Sequence, residues 1–254
     1  MENPSPPAVV SIEKLKKTFD GKVVLAGLDL EVRARETVVI LGPSGSGKSL
    51  TIRHIVKLET PDSGRVLLFG SDLATARGAE LERLRLRVGY LFQSGALINW
   101  LTVEENAELP LLEHRPGMRA KERRARVMEK LELLGIAHAA GLYPSEISGG
   151  MKKRAALARA IMLEPELVLY DEPTSGLDPI VAETINELIL DTAERLGTTQ
   201  IVVTHDLESA FRVADRIALI HGGRILAQGE PAEIKDSSDP TVRRFLGVAG
   251  AANS

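Results

Sequence analysis

The stretch Gly42–Ser49, with the sequence GPSGSGKS, has the residue types and spacing of a phosphate-binding loop. It matches G-x-x-x-x-G-K-S in full, follows the apolar run ETVVIL and precedes the helical pattern SLTIRHIVKL. Glycines let the backbone curl so that successive N–H groups face phosphate oxygens at a helix N-terminus. Lys48 is then predicted to reach the β- and γ-phosphates, and the Ser49 hydroxyl to bind Mg²⁺. The alternative is a glycine-rich turn, which the flanking strand and helix patterns disfavour.

Two carboxylates close a second apolar run. The segment LVLYDEP at 167–173 predicts a buried strand that ends in Asp171 and Glu172. Asp171 is placed to hold Mg²⁺, directly or through water, and Glu172 to act on the attacking water as general base. A strand that ends in acids is common by itself, but together with a phosphate loop it predicts a nucleotide-hydrolysis site.

Three further polar positions follow predicted strands. Gln93 ends one strand, where an amide can bind Mg²⁺ or the attacking water, and His205 ends another, where an imidazole could donate to the γ-phosphate. The segment SGLD at 175–178 follows the two acids directly. A lone Gln or His is usually an ordinary surface or core residue, so it is the order of these motifs that is informative.

The helix-forming segment SEISGGMKKRAALARA at 145–160 has an unusual start. Two adjacent glycines, Gly149 and Gly150, precede the cations of residues 152–154. Cations are unfavourable there because the helix dipole is already positive at its N-terminus. The pattern predicts that a strongly negative group approaches this helix start.

These residues must be positioned by an α/β scaffold. Several short β-branched runs are continuously apolar, which is typical of strands buried on both faces of a sheet. Between residues 101 and 164 the pattern becomes helical, so a strand-rich core is interrupted by a helical insert and then resumes. The predicted strands are Val9–Ile12, Val23–Leu25, Thr37–Leu41, Arg65–Phe69, Val88–Phe92, Leu167–Tyr170, Thr199–Thr204, Arg216–Ile220 and Arg224–Gln228.

Composition narrows the class of protein. A chain of 254 residues can form one large or two small domains, and its formal net charge of -3 argues against a general nucleic-acid binder. The chain contains no cysteine, which excludes disulfides and thiolate metal sites and suits a reducing cytoplasm. The first ten residues lack a secretory signal pattern, and the apolar runs are strand-length, so we expect no membrane-spanning segment.

Taken in order, these motifs resemble the ATP-binding subunits of ABC transporters over nearly the whole chain. The resemblance implies an α/β fold with a P-loop NTPase (RecA-like) core, an antiparallel β subdomain and an inserted α-helical subdomain. It implies a single ABC ATPase domain over 8–247, in which 8–92 and 165–247 form the ATP-binding core with its β subdomain and 93–164 the helical signature subdomain. Residues 248–254 are expected to form a mobile tail.

The same resemblance implies ATP and Mg²⁺ as cofactors and assigns roles to individual residues. Phe19 would stack on adenine, although it could equally be a core residue. The implied catalytic residues are Lys48, Gln93, Glu172 and His205, and the implied Mg²⁺ ligands are Ser49, Gln93 and Asp171. The implied ATP contacts are Phe19, Gly42, Pro43, Ser44, Gly45, Ser46, Gly47, Lys48, Ser49 and Leu50.

The signature motif implies a homodimer. In this family two subunits pack head to tail, and the signature of one subunit closes over the γ-phosphate that the other holds. Asp178 would belong to a loop that contacts the other subunit of the dimer. The signature of the partner subunit would take the place of an arginine finger. The signature residues implied to act in trans are Ser148, through its hydroxyl, Gly149 and Gly150, through their N–H groups, and Met151.

Two short features are similar to the Mla-type ATPases that serve MCE proteins. Met151 stands where the signature usually has glutamine, and FQSGAL at 92–97 contains Gln93, which the resemblance implies is the sensor glutamine of the γ-phosphate. This likeness implies phospholipid transport between membranes, driven from the cytoplasmic face of the inner membrane. The implied partners are integral-membrane permease subunits, an MCE-domain protein and, as often in such systems, a small STAS-domain protein, with no nucleic acid.

Other interpretations remain open or are disfavoured. An ABC importer ATPase for amino acids or another small solute would carry most of the same motifs. A non-transport ABC protein acting on ribosomes or DNA is disfavoured because the chain has one ATP domain and no sustained heptads, and a P-loop kinase or GTPase has no need of ISGGM. The segment 94–101 holds the single tryptophan, Trp100, which either docks a cytoplasmic helix of the permease or packs inside the helical subdomain.

Overall fold

A computed structural model describes residues 8–247, which form two compact units. The first unit comprises 8–84 and 199–247, and the second comprises 85–198. The predicted helical subdomain, 93–164, lies wholly within the second unit, which also contains one strand before it and a strand and a helix after it. The predicted tail at 248–254 lies outside the described residues.

The described chain contains both strands and α-helices, interspersed along the sequence as expected for an α/β protein. In chain order they are β1 (Ala8–Phe19), β2 (Lys22–Arg33), β3 (Thr37–Leu41), α1 (Lys48–Ile55), β4 (Ser63–Leu68), β5 (Ser71–Asp72), α2 (Gly78–Leu86), β6 (Val88–Leu91), α3 (Val103–His114), α4 (Ala120–Leu133), α5 (Gly149–Ala160), β7 (Leu167–Asp171), α6 (Pro179–Leu196), β8 (Thr199–Thr204), α7 (Leu207–Val213), β9 (Arg216–His221), β10 (Arg224–Gly229), α8 (Pro231–Lys235) and α9 (Pro240–Phe245).

The first unit contains an antiparallel sheet with the strand order β2-β1-β4-β5. Strand β1 pairs with β2 on one side and β4 on the other, and Ile12 lies opposite both Leu30 and Val66. Beyond Val10, the apolar residues Ile12 and Leu15 of β1 are buried while Glu13, Lys14 and Lys16 are exposed, which is the pattern of a sheet with one face in contact with solvent. The predicted antiparallel β subdomain is confirmed.

The same unit holds the strands β10-β9-β3-β8. Strand β3 runs parallel to both β8 and β9, and all five of its residues are buried. Leu41, the last residue of β3, lies opposite Thr204 of β8 and Leu219 of β9. The carboxyl ends of these parallel strands therefore meet at one edge, which is where α/β sheets bind their ligands.

The second unit contains a parallel strand pair, β6 and β7, and the helices of the predicted insert. Helix α3 begins with a capping box in which Thr102 accepts from the Glu105 N–H and the Glu105 carboxylate accepts from the Thr102 N–H. Helix α4 buries Val127 and Leu131 while most of its other side chains are exposed or half-buried, which is the pattern of an amphipathic helix. Within residues 8–247, we find no helix with the length and apolar character needed to span a lipid bilayer.

Candidate functional site

The predicted phosphate loop lies between β3 and α1, at the carboxyl edge of the parallel strands. Gly47 caps α1 in the left-handed conformation, with φ of 100°, and a Cβ on it would lie 2.7 Å from Leu25 Cδ2. A larger residue would meet both the wrong backbone geometry and a neighbouring side chain. The Thr51 N–H donates to the Gly47 carbonyl at 2.8 Å and starts the helix. The loop therefore presents its N–H groups at a helix N-terminus.

Lys48 is held inside this loop. Its side chain is buried, with 5 % of the residue exposed, and Nζ donates to the Gly42 carbonyl at 2.9 Å and to the Pro43 carbonyl at 3.2 Å. A buried ammonium needs such partners, because burial without them costs several kcal/mol. The loop thus concentrates one positive charge and a helix N-terminus at the place where phosphates are expected.

His205 and Phe19 also belong to the first unit. Because Leu41 is paired with Thr204, Gly42 and His205 occupy equivalent positions just past the ends of neighbouring strands, and His205 is exposed. Phe19 ends β1 and is 42 % exposed, with Lys17 Nζ 5.1 Å from its ring centroid. The core interpretation of Phe19 is therefore wrong, because its side chain is partly exposed at the surface.

The carboxylates and the sensor glutamine belong to the second unit. Leu91 of β6 is paired with Tyr170 of β7, so Gln93 and Glu172 both lie two residues beyond this pair at the same strand edge. Asp171 is buried and its Oδ2 accepts from the Tyr90 hydroxyl at 3.3 Å. Glu172 is buried and has φ of 48°, which costs a non-glycine residue about 1–3 kcal/mol. The fold thus holds Glu172 in an unfavourable backbone conformation, which it shares with seven other non-glycine residues of the described chain, such as Ala96.

The signature residues start helix α5 in the same unit. Ser148 is the N-cap, and its Oγ accepts from the Met151 N–H at 3.3 Å. A hydroxyl that accepts one hydrogen bond still carries its own O–H donor. Ser148 and Gly149 are exposed, so the N-terminus of this twelve-residue helix faces solvent. It is able to receive an anion.

Gly150 has a packing role that the sequence did not reveal. A Cβ on Gly150 would lie 2.5 Å from Val181 Cγ1 of α6, whereas a Cβ on Gly149 would come no closer than 3.4 Å to Leu177 Cδ2. The first distance is a severe overlap, and the second is ordinary van der Waals contact. Room for a triphosphate is thus not the sole reason for two glycines: Gly150 lets α5 approach α6.

We expect Gly150→Ala to lower the free energy of unfolding by about 1–3 kcal/mol, because β-branched Val181 is stiff and one helix must shift. Chemical denaturation of the purified chain measures this. Gly149→Ala is the matched control and should be neutral or slightly stabilising, since alanine is the better helix former and finds space there. Equal destabilisation by the two substitutions would contradict the packing role.

Lys153 is the functional candidate that sequence reasoning missed. It is 7 % exposed, and its Nζ donates to the carbonyl of Gln93 and, at 3.2 Å, to the carbonyl of Glu172. Burial lowers the pKa of Lys153, while the charges of Asp171 and Glu172 act to raise it. The spacing of three residues from Gly150 and four from Leu157 could have identified it, because such positions share the buried face of a helix.

The side chains proposed as metal ligands are a hydroxyl, a carboxylate and an amide, on Ser49, Asp171 and Gln93. These hard oxygen donors suit Mg²⁺. Within residues 8–247 no three His, Cys, Asp or Glu side chains group in a way that could hold a metal ion. Mg²⁺ does not require such a cluster in nucleotide enzymes, because it is bound by one or two carboxylates together with substrate phosphates and water.

The chain has a phosphate loop between a buried parallel strand and a helix, and two acids at the end of another buried strand. This combination defines a P-loop NTPase. The sequence model of the ABC transporter family matches residues 25–175. This chain belongs to that family. It is the ATP-binding subunit of an ABC transporter, it is an ATPase, and ATP and Mg²⁺ are its cofactors.

Several known proteins are similar to the chain over most of its length. It is 37 % identical over 237 residues to the probable ribonucleotide transport ATP-binding protein mkl of Mycobacterium leprae, covering 93 % of this chain and 68 % of that protein. It is 40 % identical over 243 residues to the methionine import ATP-binding protein MetN of Caulobacter vibrioides, covering 94 % and 72 %. A dimeric post-hydrolysis structure of an ATP-binding cassette with ADP and phosphate superimposes with a TM-score of 0.80 and 34 % identity, covering 87 % and 98 %.

Proposed function

We propose that two copies of this chain hydrolyse ATP at sites to which both copies contribute residues, and that hydrolysis drives conformational change in membrane permease subunits. The observation that carries the proposal is the exposed N-terminus of α5, where Ser148 and Gly149 present donor groups to solvent. An exposed helix start of this kind is able to bind an anion. The similar cassette with ADP and phosphate is a dimer, which supports a second copy as the source of that ligand.

Within this proposal each residue has a chemical role. Lys48 and the loop N–H groups bind the β- and γ-phosphates, while Ser49, Asp171 and Gln93 hold Mg²⁺. Glu172 takes a proton from the attacking water, and His205 donates to the γ-phosphate. Phe19 stacks on the adenine, and the surface exposure of its side chain supports that role. The remaining ATP-binding residues are Gly42, Pro43, Ser44, Gly45, Ser46, Gly47 and Leu50, and the residues acting across the dimer are Ser148, Gly149, Gly150, Met151 and Asp178.

The proposed permease contact is the segment 94–101, which we call the docking segment. Asn106 is fully buried; its side chain accepts from the Ile98 N–H and donates to the Ile98 and Leu101 carbonyls. Arg159 of α5 donates to the Gly95 and Ala96 carbonyls at 2.9 and 2.8 Å. The docking segment is thus hydrogen-bonded to helices α3 and α5. A displacement of this segment by the permease would therefore be transmitted to α5, the helix that begins with the signature residues.

Trp100 is the exposed feature of the docking segment, with 79 % of the residue accessible. A large aromatic side chain held on an anchored backbone is typical of an interface hot spot. Its exposure supports docking over packing inside the helical subdomain. We therefore propose that the chain is attached peripherally, at the cytoplasmic face of the membrane, through Trp100 and its neighbours.

We expect Trp100→Ala to reduce co-purification with the permease at least about tenfold, since an interface tryptophan contributes about 2 kcal/mol or more. Quantitative affinity capture from native membranes measures this loss. Because the side chain is exposed, the melting temperature of the isolated variant should stay close to that of the parent chain. Unchanged capture would rule out the docking role of Trp100.

For the transported molecule we propose a small solute taken up by an importer, such as an amino acid. The names of the similar proteins, for methionine import and ribonucleotide transport, support this choice. Lipid transport of the Mla type is the second candidate, and it is favoured by Met151 and the FQSGAL segment of the sequence. Each of these two features is short, so the proteins that are similar over more than nine-tenths of the chain outweigh them.

Purification of the intact complex from native membranes separates the two candidates. An importer yields permease subunits and a solute-binding protein, identified by mass spectrometry. A lipid transporter yields an MCE-domain protein, with or without a small STAS-domain protein, and co-purifying phospholipid. Recovery of an MCE-domain protein would overturn the importer proposal and establish the lipid one.

A further inference from the structure

Lys153 carries a buried positive charge that the proposed chemistry does not use. Most lysines keep the ammonium in water, and burial is tolerated only where the charge is well paired. Lys130 of the same unit is paired with carboxylates, as buried lysines usually are: its Nζ lies 3.1 Å from a Glu129 carboxylate oxygen and 3.5 Å from one of Glu164. Lys153 instead donates to two backbone carbonyls, those of Gln93 and Glu172.

The two carbonyls belong to the segments that place the sensor amide and the proposed general base. Gln93 follows β6 and Glu172 follows β7, so the ammonium joins the ends of two adjacent strands. Glu172 has the left-handed φ of 48°, and a hydrogen bond to its carbonyl helps to hold that strained residue in one orientation. Hydrogen bonds that involve a charged donor are about twice as strong as neutral ones.

The third partner of this contact is the signature helix itself. Lys153 lies five residues after Ser148 on α5, and helical hydrogen bonds make the intervening turn rigid. Arg159, further along α5, binds the Gly95 and Ala96 carbonyls just after Gln93. Helix α5 therefore donates hydrogen bonds to three carbonyls of the segment that follows β6 and to the carbonyl of Glu172.

We propose that Lys153 is a positioning residue that locks the backbones of Gln93 and Glu172 to the signature helix, so that general base, sensor amide and signature are held as one rigid set. This inference rests on the roles proposed above for Glu172 and Gln93. Because the phosphate loop and Phe19, which make most of the proposed nucleotide contacts, lie in the other unit, we expect Lys153 to affect turnover far more than nucleotide binding. A misplacement of about 1 Å at a reacting group is enough to cost about 100-fold in rate.

The test uses the full chain and separates binding from turnover. Lys153→Met keeps an unbranched side chain of similar volume, one bond shorter, but removes its donors, and we expect kcat for ATP to fall about 10- to 100-fold. The dissociation constant for a fluorescent ATP analogue should stay within about twofold, since uniform binding is untouched. Lys153→Arg restores N–H donors, and its kcat should exceed that of the methionine variant at least about fivefold.

Lys130→Met is the matched control, because it also removes a buried lysine of the same unit but lies among the Glu129 and Glu164 carboxylates. Its kcat should stay within about twofold of the parent chain. If Lys153→Met does not fold, Lys153→Gln, which is polar but lacks the positive charge and is also one bond shorter than lysine, serves instead and should lower kcat at least about fivefold.

Three outcomes decide the proposal. A kcat within twofold of the parent chain for the folded Lys153 variant overturns it, as does an equal loss of affinity and turnover. Failure of the arginine variant to recover activity also counts against it. Glu172→Gln is run in parallel: if that variant keeps full turnover, the proposed role of Glu172 is wrong, whereas a slow Glu172 variant with a fast Lys153 variant refutes the positioning role alone.

Discussion

Replacing Glu172 with glutamine is expected to lower ATP turnover about 10²- to 10⁴-fold, the range for removal of a general base. Glutamine has nearly the same shape as glutamate, so the left-handed backbone at φ of 48° and the carbonyl bonded by Lys153 should both persist. What is lost is the ability to take a proton from water. Bound ATP should then remain intact and hold two subunits together, which size-exclusion chromatography with ATP and Mg²⁺ detects as a dimer.

Glu166→Gln is the matched control for this substitution. Glu166 immediately precedes β7, whose other end leads to Glu172, and it forms an exposed pair with Arg87 at 2.6 Å. Exposed pairs contribute about 0–1 kcal/mol, so turnover should be nearly unchanged. A Glu172→Gln variant that hydrolysed ATP at the rate of the control would exclude the general-base role.

Mixing two inactive variants is expected to restore ATP hydrolysis if the signature acts across the dimer. Lys48→Ala removes the phosphate-loop cation and leaves the signature intact, while Ser148→Arg blocks the exposed start of α5 and leaves the loop intact. A head-to-tail heterodimer of the two has one complete site. In an equimolar mixture half of the dimers are heterodimers, so about one quarter of the parent rate is the upper limit.

Steady-state ATPase assays of each variant alone and of the mixture make the measurement. Each variant alone has two damaged sites, so recovery on mixing requires that loop and signature come from different chains. Rates in the mixture that equal the mean of the separate rates would contradict the trans arrangement. A second mixture, of Lys48→Ala with Glu172→Gln, is the control. Its proposed catalytic damage lies in the same half-site as the phosphate loop, so no complete site forms.

Much of the fold could be predicted because the core strands carry an unambiguous pattern. The strands Thr37–Leu41 and Thr199–Thr204 are rich in β-branched residues, and every residue in them is buried, as expected for strands covered on both faces of a sheet. Their observed limits equal the predicted ones. Where apolar and polar residues are mixed, the observed strand limits differ from the predicted ones. The predicted strand Val9–Ile12 is part of the twelve-residue strand β1, because hydrogen bonds to β2 and β4 extend it through polar residues. The two-residue strand β5 has no periodic signal at all.

The sequence by itself determined the phosphate loop, the two acids and the signature, since each is a run of neighbouring residues whose spacing reports its local backbone. Only the tertiary structure decided what depends on residues far apart in the chain. It turned Lys153 from one of three cations into a buried link between Gln93 and Glu172, gave Gly150 its contact with α6, and left Phe19 and Trp100 exposed. The physical reason is that burial and close approach are properties of packed pairs of elements, which local patterns do not encode.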